Sequence, residues 1–221
     1  MSILKFAKKY PKLSSIIDTY YSSNICPTEK LDTLIQDKLI NIENYTKTWE
    51  DGILVKLSEE TGIKAQSLTF GYIPNYGGML QYKKDLGNGL KAVTQVQFYV
   101  SLLANVYTVQ VLDIDEKRVV HPFLRQEVDE QILVRKWVSP NDGPTNGLFK
   151  KVESFLDTAL ENPVYLPYCI RTEALNGLMM HHTQSEANTV GDAFFKQVLP
   201  LNKDYDIMGN REYRISERKH P

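Results

Sequence analysis

The sequence has few of the residues that cross-link a chain or anchor it in a membrane. Its cysteines, Cys26 and Cys169, are too few for a disulfide framework and lack the CxxC spacing of many zinc and redox sites. No apolar run approaches the ~20 residues that a membrane span needs, and the N-terminus lacks the apolar run of a secretory signal. We therefore expect a cytoplasmic protein with reduced thiols and no membrane partner.

The chain also lacks an excess of charge of either sign. Its 26 Lys and Arg residues nearly balance 27 Asp and Glu residues, which gives a formal net charge of -1. Without a global positive field, nucleic acid is not an expected partner. A content of 42% hydrophobic and 24% charged residues is typical of a globular protein. We expect residues 1–221 to form one domain, and a helical N-terminal subdomain over residues 1–62 remains open as an alternative.

The motifs that usually identify a reaction are missing as well. GxGxxG, GxxxxGK, HExxH and GxSxG do not occur, so the sequence predicts no cofactor, no metal ligand and no catalytic residue. His181 and His182 are neighbours on a predicted helix, where they point about 100° apart and do not easily share a metal. Cys169, flanked by Tyr168 and Ile170, is predicted to be a buried thiol with a raised pKa.

What the sequence does have is a long alternating stretch from Met79 to Asp113, which predicts a β-meander. Gly87-Asn88-Gly89 is typical of a hairpin turn, and the segment from Leu103 to Asn105 is predicted to be the second turn. Asp113 to Glu116 is expected to close the third strand as an acidic turn. One face of the second strand is predicted to be core, and the other is wetter and carries Val93, Gln95, Gln97, Tyr99 and Ser101.

Helical spacing predicts helices on both sides of this meander. The first runs from Ile3 to Tyr21 with a break at Pro11, and another begins near Thr28 and is ended by Asp51-Gly52. A further helix is predicted from Leu148 to Leu160, followed by helices in the C-terminal region. The expected fold is α+β, with a central, mostly antiparallel β-meander of roughly four to six strands, N-terminal helices, and C-terminal helices packed on one face.

The candidate binding residues come from an aromatic loop and from the wetter sheet face. They are Tyr72, Tyr76, Gln95, Gln97 and Tyr99. The loop ends in Gly77-Gly78, and a connector is the favoured interpretation, with a ligand loop as the alternative because paired glycines permit close backbone approach.

These patterns favour a non-catalytic intracellular protein that binds another protein, for example an immunity protein or antitoxin that inhibits its partner. The positive support is the Tyr content, 13 residues, and the polar, aromatic sheet face. The alternative is a small hydrolase or transferase whose site lies where the loop from Tyr72 to Tyr76 meets His181 and His182. An assembly subunit is a third hypothesis, and the sequence leaves the oligomeric state open.

Overall fold

Helices form the N-terminal part of the fold. The computed structural model describes residues 3–21, 28–69, 73–140, 145–176, 189–195 and 206–215. Helices α1 (Ile3–Lys9) and α2 (Pro11–Tyr20) are separated at the predicted break, with Pro11 in the first turn of α2, where its missing N–H costs nothing. Helix α3 (Glu29–Ile40) starts after Thr28, and Glu29 and Asp32 complement its N-terminal dipole.

The helix predicted from near Thr28 to Asp51-Gly52 is interrupted at Asn41 and then continues past its predicted end. Helix α4 (Ile42–Tyr45), a π-helix (Thr46–Val55) and α5 (Lys56–Thr61) follow one another without a break. The prediction that Asp51-Gly52 ends this helix is wrong, and the chain leaves it at Gly62, which has the left-handed backbone common after a helix C-terminus. Glycine inside a helix costs about 1 kcal/mol, and the burial of Trp49 and Leu57 outweighs that cost.

A seven-stranded sheet forms the centre of the molecule. Its antiparallel part follows chain order: β1 (Ala65–Ser67), β2 (Asn75–Gly87), β3 (Leu90–Ser101), β4 (Val106–Val120) and β5 (Glu127–Trp137). Two short strands pair in parallel, β6 (Val164–Tyr165) with β4 and β7 (Asp206–Met208) with β5. The remaining helices are α6 (Asn146–Ala159), α7 (Tyr168–Arg171) and α8 (Val190–Phe194). The predicted α+β class is confirmed.

Strand β4 does not end at the predicted acidic turn. It continues through Asp113 and Asp115 to Val120, because both carboxylates find partners on neighbouring strands. Asp113 accepts hydrogen bonds from Thr94 Oγ1 at 2.9 Å and from Trp137 Nε1 at 2.7 Å. Asp115 forms an ion pair with Arg135 at 2.9 Å. These contacts keep the acidic residues in the ladder, so the prediction of a turn is wrong.

Helices lie against both faces of the sheet. The face that we call the α6 face carries Val96, Phe98 and Val109, which share a core with α6, the π-helix and α5. Because side chains alternate along a strand, Gln97 and Tyr99 point the other way, and we call that side the Gln97 face. Tyr99 shares a second core with residues of α1, α2, α7 and α8. Segments before and after Gly62 meet in the first core, and the number of domains stays a prediction.

The paired glycines lie in strand β2 rather than in a loop, and the core explains why Gly78 is glycine. A Cβ built there would lie 2.3 Å from Cζ of Phe98, whose ring is fully buried. We expect Gly78→Ala to lower the free energy of unfolding by about 1–3 kcal/mol, because the ring has no room to shift. Urea unfolding followed by Trp fluorescence measures this change. Gly147→Ala is the control, since a Cβ there meets nothing within 4 Å, and equal stability of the two variants would contradict the explanation.

Candidate functional site

A chain of hydrogen-bonded polar side chains crosses the Gln97 face in the interior. Gln97 lies at its centre: its Oε1 accepts hydrogen bonds from Tyr99 OH at 3.1 Å and from Gln110 Nε2 at 3.0 Å. Its Nε2 donates to Gln95 Oε1 at 3.0 Å. The ladder brings these groups together, because Gln97 pairs with Gln110 across β3 and β4. The amide network fixes the side chain of Gln110 beneath the helices.

Two cations extend this polar chain. Arg171, at the end of α7, donates from Nη2 to Gln110 Oε1 at 3.1 Å. Its stem packs directly on the backbone of α8, where a Cβ on Gly191 would lie 2.4 Å from Arg171 Cγ. Lys136 lies on the same sheet face, paired with Leu112 on β4, and it is 3% exposed. A positive charge is thus buried in the sheet beside a second one.

Burial shifts the titration of both cations. Removal from water disfavours the charged form of Lys136 and, together with the nearby positive charge of Arg171, lowers its pKa to about 7. Burial also lowers the pKa of Arg171, opposed by the nearby tyrosines and by Asp192. The polar cluster, which we define as Gln95, Gln97, Tyr99, Gln110, Lys136 and Arg171, is therefore an electropositive interior site.

The structure brings three of the predicted binding residues together and separates a fourth from them. Gln97 and Tyr99 are 6% and 2% exposed, and Gln95 is half-buried, so this wetter face is covered, which the strand pattern alone did not decide. The reason is that helices cover both sides of the sheet here. Tyr76 lies on the α6 face, stacked on Trp49 with 5.1 Å between ring centroids. Tyr72 lies outside the described residues, and the binding role of all five residues stays a prediction.

Sequence reasoning missed Lys136 and Arg171. A signal for Lys136 was present, because the period of a strand places it on the same face as Val134 and Val138, both of which are buried. A lysine on a buried strand face lowers the stability of the fold, so its presence there indicates a function. No pattern pointed to Arg171, whose neighbours come from α8 and β4, distant in the sequence.

The residues considered for catalysis are mostly outside the described structure. His181 and His182 lie there, so the enzyme hypothesis that depends on them stays a prediction. Cys169 is half-buried, and burial raises the pKa of its thiol, as the sequence suggested. Within the described ranges, no three or more His, Cys, Asp or Glu side chains gather in a way that could hold a metal ion. The helices in these ranges are also too short or too polar to cross a membrane.

Comparison with known proteins adds no relative. Searches of protein-family models, curated proteins and solved structures found no match to this chain. The geometry of the chain itself therefore carries the functional argument.

The second notable surface is the far end of the sheet, formed by residues 82–94 and 115–133, which we call the distal hairpins. Every residue from Tyr82 to Leu90 is exposed, on both faces of the sheet. The second hairpin extends past the first: Arg118 donates its backbone N–H to Gly89 O at 2.7 Å, and β4 continues to Val120. The turn at its tip holds Phe123, which is 88% exposed.

The charges of the distal hairpins are partly engaged with one another. Lys91 on β3 and Asp129 on β5 form an ion pair across β4, with 2.6 Å between Nζ and Oδ2. Arg118 forms two longer pairs, at 3.7 Å from its Nε to Asp129 Oδ1 and at 3.6 Å from its Nη1 to Glu127 Oε2. Such exposed pairs add little stability. Their effect here is that positive and negative charges neutralise each other locally, so the unusual feature of this end of the sheet is its exposed apolar side chains.

A third cluster lies on the α6 face and joins the C-terminal segment to α6. Arg214 Nη1 lies 2.8 Å from Asp157 Oδ2 and 3.2 Å from Glu153 Oε1, and it donates to Tyr107 OH at 2.9 Å. Tyr213 OH donates to Glu153 Oε2 at 2.8 Å. Burial raises the pKa of Glu153, opposed by Tyr213 and Arg214. The two carboxylates, one turn apart on α6, are both bound by Arg214 within the chain, which makes this cluster a structural clamp rather than a binding site.

Proposed function

We propose that this protein binds another protein through its distal hairpins and has no catalytic role of its own. The observation that carries the proposal is the concentration of exposed apolar side chains there. Among the described residues, seven of the eleven large hydrophobic side chains that are exposed belong to the distal hairpins: Tyr82, Leu86, Leu90, Val120, Phe123, Leu124 and Ile132. Exposed apolar patches on a folded protein are typical of interaction surfaces.

The shape of the distal hairpins also supports protein binding. Both faces are open from Tyr82 to Leu90, and the tip with Phe123 and Leu124 extends beyond the first hairpin. A projecting aromatic side chain can fill a pocket of a partner and become an energetic hot spot. The backbone ladders between β3, β4 and β5 hold the strands together, so little ordering would be needed on binding.

The kind of partner follows from the chemistry of this surface. A partner with an apolar groove matches the exposed apolar side chains of the distal hairpins. A protein that binds without catalysing commonly acts by blocking or regulating its partner. An immunity or antitoxin role, in which the partner is a toxin, is the specific form of the proposal.

A paired substitution at the tip tests the proposal. We expect Phe123→Asp with Leu124→Asp to abolish stoichiometric recovery of the partner from cells that produce the protein naturally. Loss of about 2 kcal/mol or more of binding free energy, roughly 30-fold in affinity, is expected for such a hot spot. Isolation of the tagged protein followed by quantitative mass spectrometry measures recovery, and calorimetry with the purified partner measures affinity.

Ile40→Asp is the matched control, because Ile40 is 78% exposed and lies on α3, away from the distal hairpins. Both variants should melt at the wild-type temperature, since the replaced side chains are exposed. Recovery of the same partner with the variant that carries Phe123→Asp and Leu124→Asp would contradict the proposal. Self-association of the purified chain that depends on Phe123 would also contradict it, since the surface would then bind a second copy.

A further inference from the structure

Lys136 is a buried cation whose charge is not matched by an acid in the described structure. It lies in β5 with 3% of its surface exposed. Within the described ranges its Nζ has no hydrogen bond and no ion pair, while other lysines of the chain do, such as Lys38 Nζ, which donates to Ile73 O at 2.7 Å. Removing a lysine side chain from water is costly when no acid lies beside it. A ligand with acceptor oxygens would remove that cost.

Arg171 supplies a second cation, and its guanidinium carries several N–H donors. A guanidinium has five N–H groups. Among the residues that the structure describes, the guanidinium of Arg171 donates one hydrogen bond, to Gln110 Oε1, and its Cζ lies 5.3 Å from the ring centroid of Tyr168. Its side chain is half-buried. The nearby carboxylate of Asp192 is engaged elsewhere: its Oδ2 accepts from Thr189 N at 2.6 Å and from Thr189 Oγ1 at 2.9 Å.

The surroundings hold Arg171 in place and set the position of Lys136 on the sheet. Gln110 is fixed by its hydrogen bond to Gln97, and Arg171 by Gln110 and by the close contact with Gly191. Lys136 is diagonal to Gln110 on the sheet, because its direct partner on β4 is Leu112. The result is an arginine held in place on α7 beside a buried lysine of β5.

We propose that Lys136 and Arg171 form a binding site for an oxyanion, a carboxylate or a tetrahedral group of the phosphate and sulfate class. An Arg side chain recognises two oxygens of such a group at once, and Lys adds a compact positive charge. The low pKa of Lys136 in the unliganded protein agrees with this role, since a bound anion would favour the protonated amine. The site lies at the opposite end of β5 from the distal hairpins and is independent of the protein interface proposed above.

Calorimetric titration of the full chain with sodium sulfate and, separately, sodium acetate tests the proposal, with sodium chloride at equal ionic strength as the baseline. We expect saturable binding of at least one of the two anions. Affinity should fall at least tenfold in Lys136→Met and in Arg171→Met. Lys83→Met is the control, because Lys83 is an exposed lysine of the same sheet, and its affinity should equal that of the wild type.

The two probes distinguish the anion class: tighter binding of acetate indicates a carboxylate ligand, and tighter binding of sulfate indicates a phosphate-like one. Arg171→Met could disturb α8, so Lys136→Met, which removes no hydrogen bond within the described ranges, gives the decisive comparison. Absence of saturable binding of both anions would overturn the proposal. Equal affinity in the wild type and in Lys136→Met would overturn it as well.

Discussion

Replacing Lys136 by methionine is expected to raise the free energy of unfolding by about 2–4 kcal/mol near pH 6. Methionine has a similar length and an apolar end, so it fills the same space without a buried charge. Lys136 is 3% exposed, which means that solvent screens its charge very little. A stabilising substitution at a natural position is what we expect where a residue is kept for binding.

The pH dependence of this gain follows from the two pKa values of Lys136. Its pKa is about 7 in the folded protein against 10.5 for the free side chain. Below pH 7 the lysine is protonated in both states, and the full cost of burying the charge is present. Between the two values the unfolded chain binds more protons, so the stability of the wild type rises with pH. The advantage of Lys136→Met should therefore shrink from about pH 7 upward and be small near pH 10.

Guanidinium unfolding at a series of pH values, in chloride buffers, measures this difference. Because the wild type and the variant share all other titrating groups, the difference between them isolates Lys136. Lys83→Met should show no such trend, since Lys83 is exposed. A variant that is less stable than the wild type near pH 6 would contradict the view that Lys136 carries an uncompensated charge.

The substitution Arg214→Met is expected to lower the free energy of unfolding by about 3 kcal/mol, the second largest effect. The arginine contacts Glu153, Asp157 and Tyr107. The side chain of Glu153 is 9% exposed, so its carboxylate would lose its positive partner in a place where water does not replace it. Asp157 is 34% exposed and should lose less.

Chemical denaturation at neutral pH gives this change directly. Arg211→Met is the control, because Arg211 lies in the same turn and is exposed. Adding Glu153→Gln to Arg214→Met should recover part of the lost stability, because the double variant no longer buries an unpaired negative charge. Loss of stability as large in Arg211→Met as in Arg214→Met would show that the turn, rather than the ion pairs, holds the C-terminal segment.

Local patterns predicted much of the fold because they record which side of an element is buried. Alternation found β3, Gly87-Asn88-Gly89 found the hairpin turn between β2 and β3, and helical spacing found α6. The errors arose where distant partners decide. Gly52 did not end the helix, because the sheet buries Trp49 and Leu57 around it. Asp113 did not form a turn, because Thr94 and Trp137 bind its carboxylate within the sheet.

The candidate sites were less predictable than the fold. A strand pattern shows that Gln97 and Tyr99 share a face, but only the packing of the N-terminal and C-terminal helices decides that this face is interior. Arg171 and Gln110 are 61 positions apart in the sequence, and only folding brings them into contact. The exposed side chain of Phe123 was not predicted, because hydrophobicity alone does not distinguish a buried side chain from an exposed one.

By itself the sequence determined the α+β class, the meander and the main amphipathic helix, because strand alternation and helical spacing are local consequences of which side chains must leave water. Tertiary structure alone decided that both sheet faces are covered near Tyr99, that two cations meet beside Gln110, and that the apolar side chains of the distal hairpins stay in solvent. The physical reason is that burial and charge pairing depend on neighbours that the whole fold brings together. Contacts between residues far apart in the sequence produce no periodic pattern from which they could be predicted.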